Sequence, residues 1–575
     1  MTKDTSESHV TAQVRRHHPG KGKRKGRRAP KGRQVDGAAL KEIQSLLGAR
    51  PRARDHLIEH LHLIQDTYQA LSPAHLAALA HEMRLSLAEV YEVATFYAHF
   101  HVLENTAAVP VSLTVRVCDG VACAMRGGEK VRRALQGDLS RQVRVVRAPC
   151  MGRCDTAPVV QVGKAPVDEA TVEKVKEYVD SGTVTPALQP YKQSTDGNGY
   201  AVLRDCLAGA RKVEDVLETL DQSGLRGLGG AGFPTARKWR AVRAHPAPRT
   251  VVMNADEGEP GTFKDRHFLE RHPARVLEGL LIAAWSVGAE TAYIYVRDEY
   301  PAAHEILTRE IDVLTHAGLA PAGGIFVRRG AGAYICGEES ALLESLEGKR
   351  GLPRHRPPYA AEVGLFGRPT LINNVETLYW VTQILEQGAG WFASQGLNGG
   401  KGLRAFSVSG RVKTPGVKIA PAGISVGRLI ADHCGGMEAG HVFKAYLPGG
   451  ASGGILPARL DHLPLDFGAL EPHGGLIGSA AVVILSDKDN VAEIARGLMR
   501  FFADESCGQC TPCRVGTAKA ALLMAQERWD VELLEDLSHV MRDASICGLG
   551  QAAPAPLDCA LKYFPEDFLK KEFAP

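Results

Sequence analysis

The sequence runs to 575 residues, 44% hydrophobic and 23% charged, a globular composition whose length suggests about four domains. Its longest apolar stretch, around Val276 to Val296, contains Glu278 and Glu290 and reads as a buried helix followed by a strand, so no membrane span is expected. No apolar leader core opens the chain, and the twelve cysteines are therefore expected to be reduced, in a cytoplasmic protein, rather than paired as disulfides.

Between Arg15 and Arg33 lie ten Lys or Arg and no acid; taking them from the 69 basic residues leaves 59 against 65 acidic ones, net −6. Residues 1–36 therefore read as a basic tail that cannot bury enough apolar surface to fold alone, either solvated or ordered on a partner subunit. Aromatic residues are absent from the basic stretch and no recognition helix follows, so nucleic-acid binding is the least favoured reading.

Residues 37–105 read as a helical unit. Leu57, Leu61, Ile64 and Tyr68 share one helical face, Ser72-Pro73 marks the start of the next helix, and Ser86 with Glu89 forms a capping-box pattern before Val90, Val93 and Tyr97. The period then changes to two. Val111, Leu113, Val115 and Val117 lead straight into Cys118, with further strands expected over Val143 to Val146 and Val159 to Val162, and a helix over Val167 to Val179. Residues 106–180 are thus a small α/β domain with cysteines in its loops.

A linker is expected over 181–199 and a larger α/β domain over 200–402. Strand patterns at Thr250 to Met253, Ala292 to Val296 and Gly324 to Val327, separated by long helical patterns, point to a mainly parallel sheet. Residues 403–488 read as a small α+β domain with one helix near Val426 to His433, and 489–575 as helical.

Two cysteine constellations carry chemistry. Cys507, Cys510 and Cys513 form a C-x2-C-x2-C run, which offers three thiolates to three corners of a cubane, and Cys547 is the natural fourth ligand of a [4Fe–4S] cluster. Cys118-x4-Cys123 and Cys150-x3-Cys154 are two pairs on loops after predicted strands, which favours a [2Fe–2S] core; spacing alone leaves zinc open at both sets and disulfides open at the second. Cys206, Cys336, Cys434 and Cys559 have no partner at ligand spacing and read as buried small apolar residues.

Gly227-Leu-Gly229-Gly230-Ala-Gly232 matches a phosphate-approaching glycine loop, but a helical pattern precedes it and the strand comes after, unlike an ordinary dinucleotide fold. Two loops that follow strands, Asn254 to Glu259 and Gly330 to Glu339, lie where open α/β sheets bind ligands. Carboxylates and amides there suit ribityl or ribose hydroxyls, against the blander reading of acidic solvated loops.

Taken together, the glycine loop with Phe233-Pro-Thr-Ala-Arg-Lys238-Trp, Asn254 to Asp265, Gly337-Glu-Glu339 and Leu371-Ile-Asn373-Asn374-Val-Glu-Thr377 resemble the NADH-binding flavoprotein subunit of respiratory complex I, from about Tyr200 to Phe564. Residues 37 to 180 resemble that complex's thioredoxin-like [2Fe–2S] subunit, fused into the same chain. The fusion, with the Lys31 to Asp36, Arg54 to Tyr68 and Tyr295 to Tyr300 segments, is most similar to the diaphorase subunits of molybdenum- or tungsten-dependent, NAD-reducing formate dehydrogenases.

The resemblance implies a thioredoxin-like [2Fe–2S] domain, a Rossmann-like FMN/NADH domain, a β-grasp (SLBB-like) domain and a helical [4Fe–4S] bundle. It implies FMN across Gly227, Gly229, Gly230, Gly232, Lys238, Asn254, Asp256, Glu257, Gly337, Glu338, Ile372, Asn373, Asn374 and Thr377, with Tyr334 also at the cofactor. Phe233 and Tyr359 would pack on the adenine of NADH, and Glu259, Glu339 and Arg356 would meet the dinucleotide's polar groups. Glu257 and Glu338 would tune the flavin rather than move protons. Leu228, Arg356 and Tyr359 stand where complex I commonly has Arg, Lys and Phe; an Arg lost beside a pyrophosphate removes a bond worth about 1.5–3 kcal/mol.

The expected partner is a molybdopterin- or tungstopterin-containing formate dehydrogenase alpha subunit with further clusters. The nearest rival is the diaphorase subunit of an NAD-reducing hydrogenase. A rival of another class is a non-enzymatic zinc scaffold with a nucleic-acid-binding tail.

Overall fold

The computed structural model describes residues 34–104, 111–140, 142–191 and 199–569; the basic stretch Arg15 to Arg33 lies outside them. Helices Gly37–Leu47, Leu57–Tyr68, Pro73–Met83 and Leu87–Phe96 form the first unit. Asp36 caps the first by accepting from the backbone N–H groups of Ala38 and Ala39, Ser72 caps the third with Pro73 at its first position, and Ser86 and Glu89 make the reciprocal capping box of the fourth. Leu57, Leu61 and Ile64 are buried on the face their spacing predicts, while Tyr68 stays at the edge.

Next comes a four-stranded mixed sheet: β1 (Leu113–Cys118), β2 (Val143–Ala148), β3 (Val160–Val162) and β4 (Ala165–Val167), in the order β2-β1-β3-β4. β1 is parallel to β2 and antiparallel to β3. The helix expected over Val167 to Val179 is here a correction. Val167 ends β4, paired with Val160, and the helix runs Val172–Asp180, started by Thr171 accepting from Lys174 N. Three-residue strands are too short to show a period of two, so Val167 merges into the helical pattern that follows it.

The flavin-type domain is built on β5 (Arg249–Ala255), β6 (Ala289–Val296), β7 (Ile325–Arg329) and β8 (Thr370–Asn374), all parallel in the order β7-β6-β5-β8. The mainly parallel sheet is therefore entirely parallel, and β8 is a strand that alternation does not reveal, because its middle, Leu371 and Ile372, is buried on both faces. Helix Pro273–Val287 crosses to Val375–Gln387 at backbone contact: a Cβ on Gly279 would lie 2.0 Å from the carbonyl oxygen of Leu378.

A second mixed sheet follows, formed by β9 (Leu403–Gly410), β10 (Gly416–Pro421), β11 (Phe443–Leu447), β12 (Leu456–Pro457) and β13 (Ala481–Ser486). Its order, β10-β9-β13-β11-β12 with β13 parallel to β9, is the β-grasp arrangement. Helices Val491–Asp504, Thr511–Met524, Val531–Ala544, Gly548–Ala552 and Ala555–Tyr563 then pack against that sheet through Leu498, Leu557 and Ala560, in one core with Leu456 and Ile484. Among the described residues no helix is long and apolar enough to cross a membrane.

Candidate functional site

Strand ends deliver the first cysteine set. Cys118 is the last residue of β1, Cys123 sits in the short helix Val121–Met125, Cys150 follows β2, and Cys154 opens the turn Cys154–Thr156. All four thiols are buried and free of disulfides. Cys150 Sγ lies 3.3 Å from Cys154 Sγ, and Cys118 contacts both Cys123 and Cys150. Contact with Cys118 and Cys154 holds the Cys150 thiol well below its ordinary range, while contact with Cys123 and then Cys150 pushes Cys118 up and contact with Cys150 pushes Cys154 up. Thiols crowded this way without bonding to one another fit a thiolate-bound cluster.

The second set gathers around one helix start. Cys507 and Cys510 are half-buried just before and at the cap of Thr511–Met524, Cys513 lies in its first turn, and Cys547 caps Gly548–Ala552. Burial pushes the thiols of Cys513 and Cys547 up, Cys513 to about 11, so a bound metal would be needed to hold them as thiolates.

Between the two sets lies a cavity of about 330 Å³ at the carboxyl ends of β5 and β8. Of the residues singled out in the sequence, Gly229, Gly230, Asn254, Asp256, Glu257, Glu259, Tyr334, Gly337, Glu338 and Asn374 line it. The glycine loop joins helix Val213–Ser223 to Thr235–Arg243, and Gly229 fits because a Cβ there would lie 3.0 Å from Asn374 Cβ. Asn254 Nδ2 donates to Gly337 O at 2.9 Å, tying the two ligand loops together.

The cavity floor is rich in ionisable groups. Glu257 accepts from the backbone N–H groups of Asp265 (2.8 Å) and Arg266 (3.1 Å) and from the Tyr300 hydroxyl (2.8 Å). Burial, with the Asp265 carboxylate second, pushes it up to about 8. Burial likewise pushes Asp256 up to about 8. Asp256 Oδ2 and Glu338 Oε1 have no hydrogen-bond donor among the described residues, although the Arg356 guanidinium stands 3.6 Å from Glu338 Oε1. The other Glu338 oxygen caps helix Glu339–Leu346 through Ser340 and Ala341. Glu259 accepts from Ser452 N and Oγ, both at 2.7 Å, and from the Tyr334 hydroxyl.

The remaining residues singled out lie outside the lining. Asn373 Oδ1 accepts from Trp239 Nε1 at 2.9 Å and Thr377 Oγ1 from Leu228 N at 2.9 Å, so both brace the glycine loop from behind, beside buried Ile372. Lys238 Nζ pairs with Glu339 at 2.9 Å, and Arg356 stands 3.7 Å from the same carboxylate. Phe233 and Tyr359 are exposed aromatic rings, 46% and 53%. Gly227 and Gly232 frame the loop, where Gly232 abuts the Phe467 ring.

Several wall residues carried no sequence signal: Ser452, Leu476, Gly478 and Ser479 come from the β-grasp domain, and Gly548, Leu549 and Ala552 from the C-terminal helices. Their spacing shows nothing because three separately folded units meet there. Only Gly548 offered a hint, as the neighbour of Cys547. Lys264, fully buried between Asp265 (2.8 Å) and Glu376 (3.0 Å), is a further lining residue.

Residues 220–383 match the model of the Nuo51 FMN-binding domain, 43–182 that of the thioredoxin-like [2Fe-2S] ferredoxin, and 493–571 that of the NADH-ubiquinone oxidoreductase-F iron-sulfur binding region. The NADH-quinone oxidoreductase F 2 polypeptide of Rhizobium meliloti (strain 1021) is 42% identical over 388 residues, which is 65% of this chain and 92% of that relative. The chain belongs to the NADH-quinone oxidoreductase F family. The F polypeptide of the same enzyme in Aquifex aeolicus (strain VF5) is 39% identical over 402 residues, 67% of this chain and 92% of its own length. Among solved structures, a chain of NAD+-reducing [NiFe]-hydrogenase in the air-oxidized state matches with a TM-score of 0.79 and 31% identity, covering 92% of this chain and 96% of that one.

This member of the oxidoreductase F family is thus a diaphorase-type oxidoreductase with FMN, NAD(H), a [2Fe–2S] and a [4Fe–4S] cluster. The donor sets suit those groups. Eight free thiols stand in two sets of four, and the cavity between them carries two carboxylate oxygens without hydrogen-bond donors among the described residues, which a polyhydroxyl chain would supply.

Proposed function

We propose that this chain is the NAD+-reducing diaphorase subunit of a formate dehydrogenase complex. A separate molybdopterin- or tungstopterin-containing subunit with further clusters oxidises formate and delivers single electrons to the [4Fe–4S] site at Cys507, Cys510, Cys513 and Cys547. The observation that carries the electron route is that Gly548, Leu549 and Ala552, directly after Cys547, form a wall of the central cavity. Bound in that cavity, FMN supplies the exchange between single electrons and two-electron hydride transfer with NAD+.

The chain's own residues orient and insulate. Gly229 and Gly230 let the backbone approach the flavin closely; Gly227 and Gly232 shape their loop, and Asn373 and Thr377 hold that loop from behind. Asn254, Asp256, Glu338 and Asn374 would accept from or donate to the ribityl and ring edges, with Gly337 beside them and Ile372 and Lys238 behind the lining. Tyr334 and Glu259 close the side nearest the β-grasp domain. Phe233 and Tyr359 would present apolar faces to the adenine, while Glu339 and Arg356 would meet the dinucleotide's polar groups. Leu228 leaves that entry without the Arg of complex I, so weaker nucleotide binding is expected. Hydride exchange between two rings would need no side chain as acid or base, so Glu257 and Glu338 would tune the flavin's surroundings and hold its position.

The formate assignment draws support from the fused domain order, the basic stretch Arg15 to Arg33 and the Lys31 to Asp36 and Tyr295 to Tyr300 segments. Likeness to the NAD+-reducing hydrogenase favours a second reading, the diaphorase subunit of such an enzyme. Purification of the native complex separates them: formate-dependent NAD+ reduction is expected, and hydrogen-dependent reduction without formate activity overturns the first reading. Loss of NADH oxidation by an artificial acceptor in the fully loaded chain would count against the flavin-site residue roles.

A further inference from the structure

Arg297 follows the last residue of β6 and is 4% exposed. Nothing in the chemistry above uses it, yet its guanidinium lies between the two redox sites. Nη2 donates to the carbonyl of Cys150 at 2.6 Å, Nη1 donates to the carbonyl of Glu257, and Nε donates to Glu299 Oε2 at 3.1 Å. The same guanidinium sits 5.1 Å from the centre of the Tyr300 ring, whose hydroxyl donates to Glu257 Oε2. Gly152, in the loop between Cys150 and Cys154, is where that ring docks: a Cβ there would fall 2.0 Å from the Tyr300 hydroxyl oxygen. Arg266 closes the junction, with Nε donating to Gly152 O at 2.8 Å while its backbone N–H serves Glu257.

We propose that Arg297 is a positioning residue that couples the [2Fe–2S] cluster to the flavin cavity, by holding the Cys150 and Glu257 carbonyls on one buried cation. The inference rests on the cysteine assignment and the diaphorase reading above. Cys150 belongs to the proposed ligand set and Glu257 lines the cavity, so a single planar group touches the backbone of both sites. An added electron makes a cluster more negative, and a buried positive charge beside it stabilises that state far more than the same charge in water would. The fork geometry matters as well as the charge. Arginine presents several N–H donors in one plane and reaches both carbonyls together, whereas a lysine ammonium is a point charge on a flexible stem. Glu299 partly offsets the charge, which makes it the lever for changing the cluster's field without cutting the bridge.

The test uses the full chain loaded with FMN and both clusters, with each cluster titrated redox-wise by EPR. Arg297→Met is expected to lower the [2Fe–2S] midpoint potential and leave that of the [4Fe–4S] cluster in place. Arg297→Lys keeps the charge and is expected to hold the potential near wild type while weakening FMN retention about tenfold, the loss of one charge-assisted bond. Glu299→Gln should raise the [2Fe–2S] potential. An unmoved [2Fe–2S] potential in Arg297→Met and Glu299→Gln overturns the proposal, as does an equal shift of both clusters, which would report a general structural change. Should Arg297→Met lose its cluster, Glu299→Gln decides: a raised potential supports the coupling and an unmoved one ends it. A wild-type chain without the [2Fe–2S] spectrum would instead remove the cysteine assignment on which the proposal stands.

Discussion

Lys264 shows how much of the cavity depends on single side chains. Its ammonium is 1% exposed and faces Asp265 and Glu376, with Asn374 Oδ1 at 3.4 Å. Lys264→Met would leave two carboxylates buried without their cation, and a loss of about 3–5 kcal/mol is expected, read as a lowered unfolding midpoint. Gly229→Ala separates binding from stability. The new methyl would sit 3.0 Å from Asn374 Cβ on the cavity wall, so a several-fold lower flavin-to-iron ratio is expected at unchanged iron content. At this scale the sequence was legible where ligand loops follow strands, as with Asn254, Asp256 and Glu257. Asn373 and Thr377 belong to the same motif but turn out to brace the loop, because which face of a bend points inward depends on neighbours such as Trp239.

Among elements, helix Pro273–Val287 is buried nearly all round, and it carries Glu278 at 2% exposure. Glu278 accepts from Leu203 N at 3.1 Å, and burial pushes it up to about 7 from the ordinary 4.5. With the folded value raised, its contribution is fully present below about pH 4.5 and is lost as pH rises through 7. Glu278→Gln should therefore stabilise the protein above pH 7, by up to about 3 kcal/mol, and leave it unchanged near pH 4, seen as a flatter alkaline limb in unfolding midpoint against pH. Helix ends were legible from local chemistry: Ser72 and Ser86 cap where their side chains predict. β4 was not, since its three residues, joined to β3 through Gly163 and Lys164, are too few to show a period of two.

For the whole molecule, acid sensitivity has an identifiable contributor in His60, 1% exposed within helix Leu57–Tyr68. Burial lowers it to about 4 from 6.5, so its contribution is present above pH 6.5 and lost as pH falls through 4. His60→Gln should flatten that acid limb by up to about 3 kcal/mol, measured in the holoprotein. Domain order could be read from the sequence because each unit has its own period and its own cysteine or glycine pattern. How the units meet could not, and the central cavity is made at that meeting. Its last wall, Gly548 to Ala552, stands more than three hundred residues after its first, Gly229. Ribosomal synthesis runs in that direction, so the flavin pocket is incomplete until almost the entire described chain has emerged. FMN is accordingly expected to enter only after synthesis, late in maturation, and a chain halted before residue 548 would be released without a finished flavin pocket.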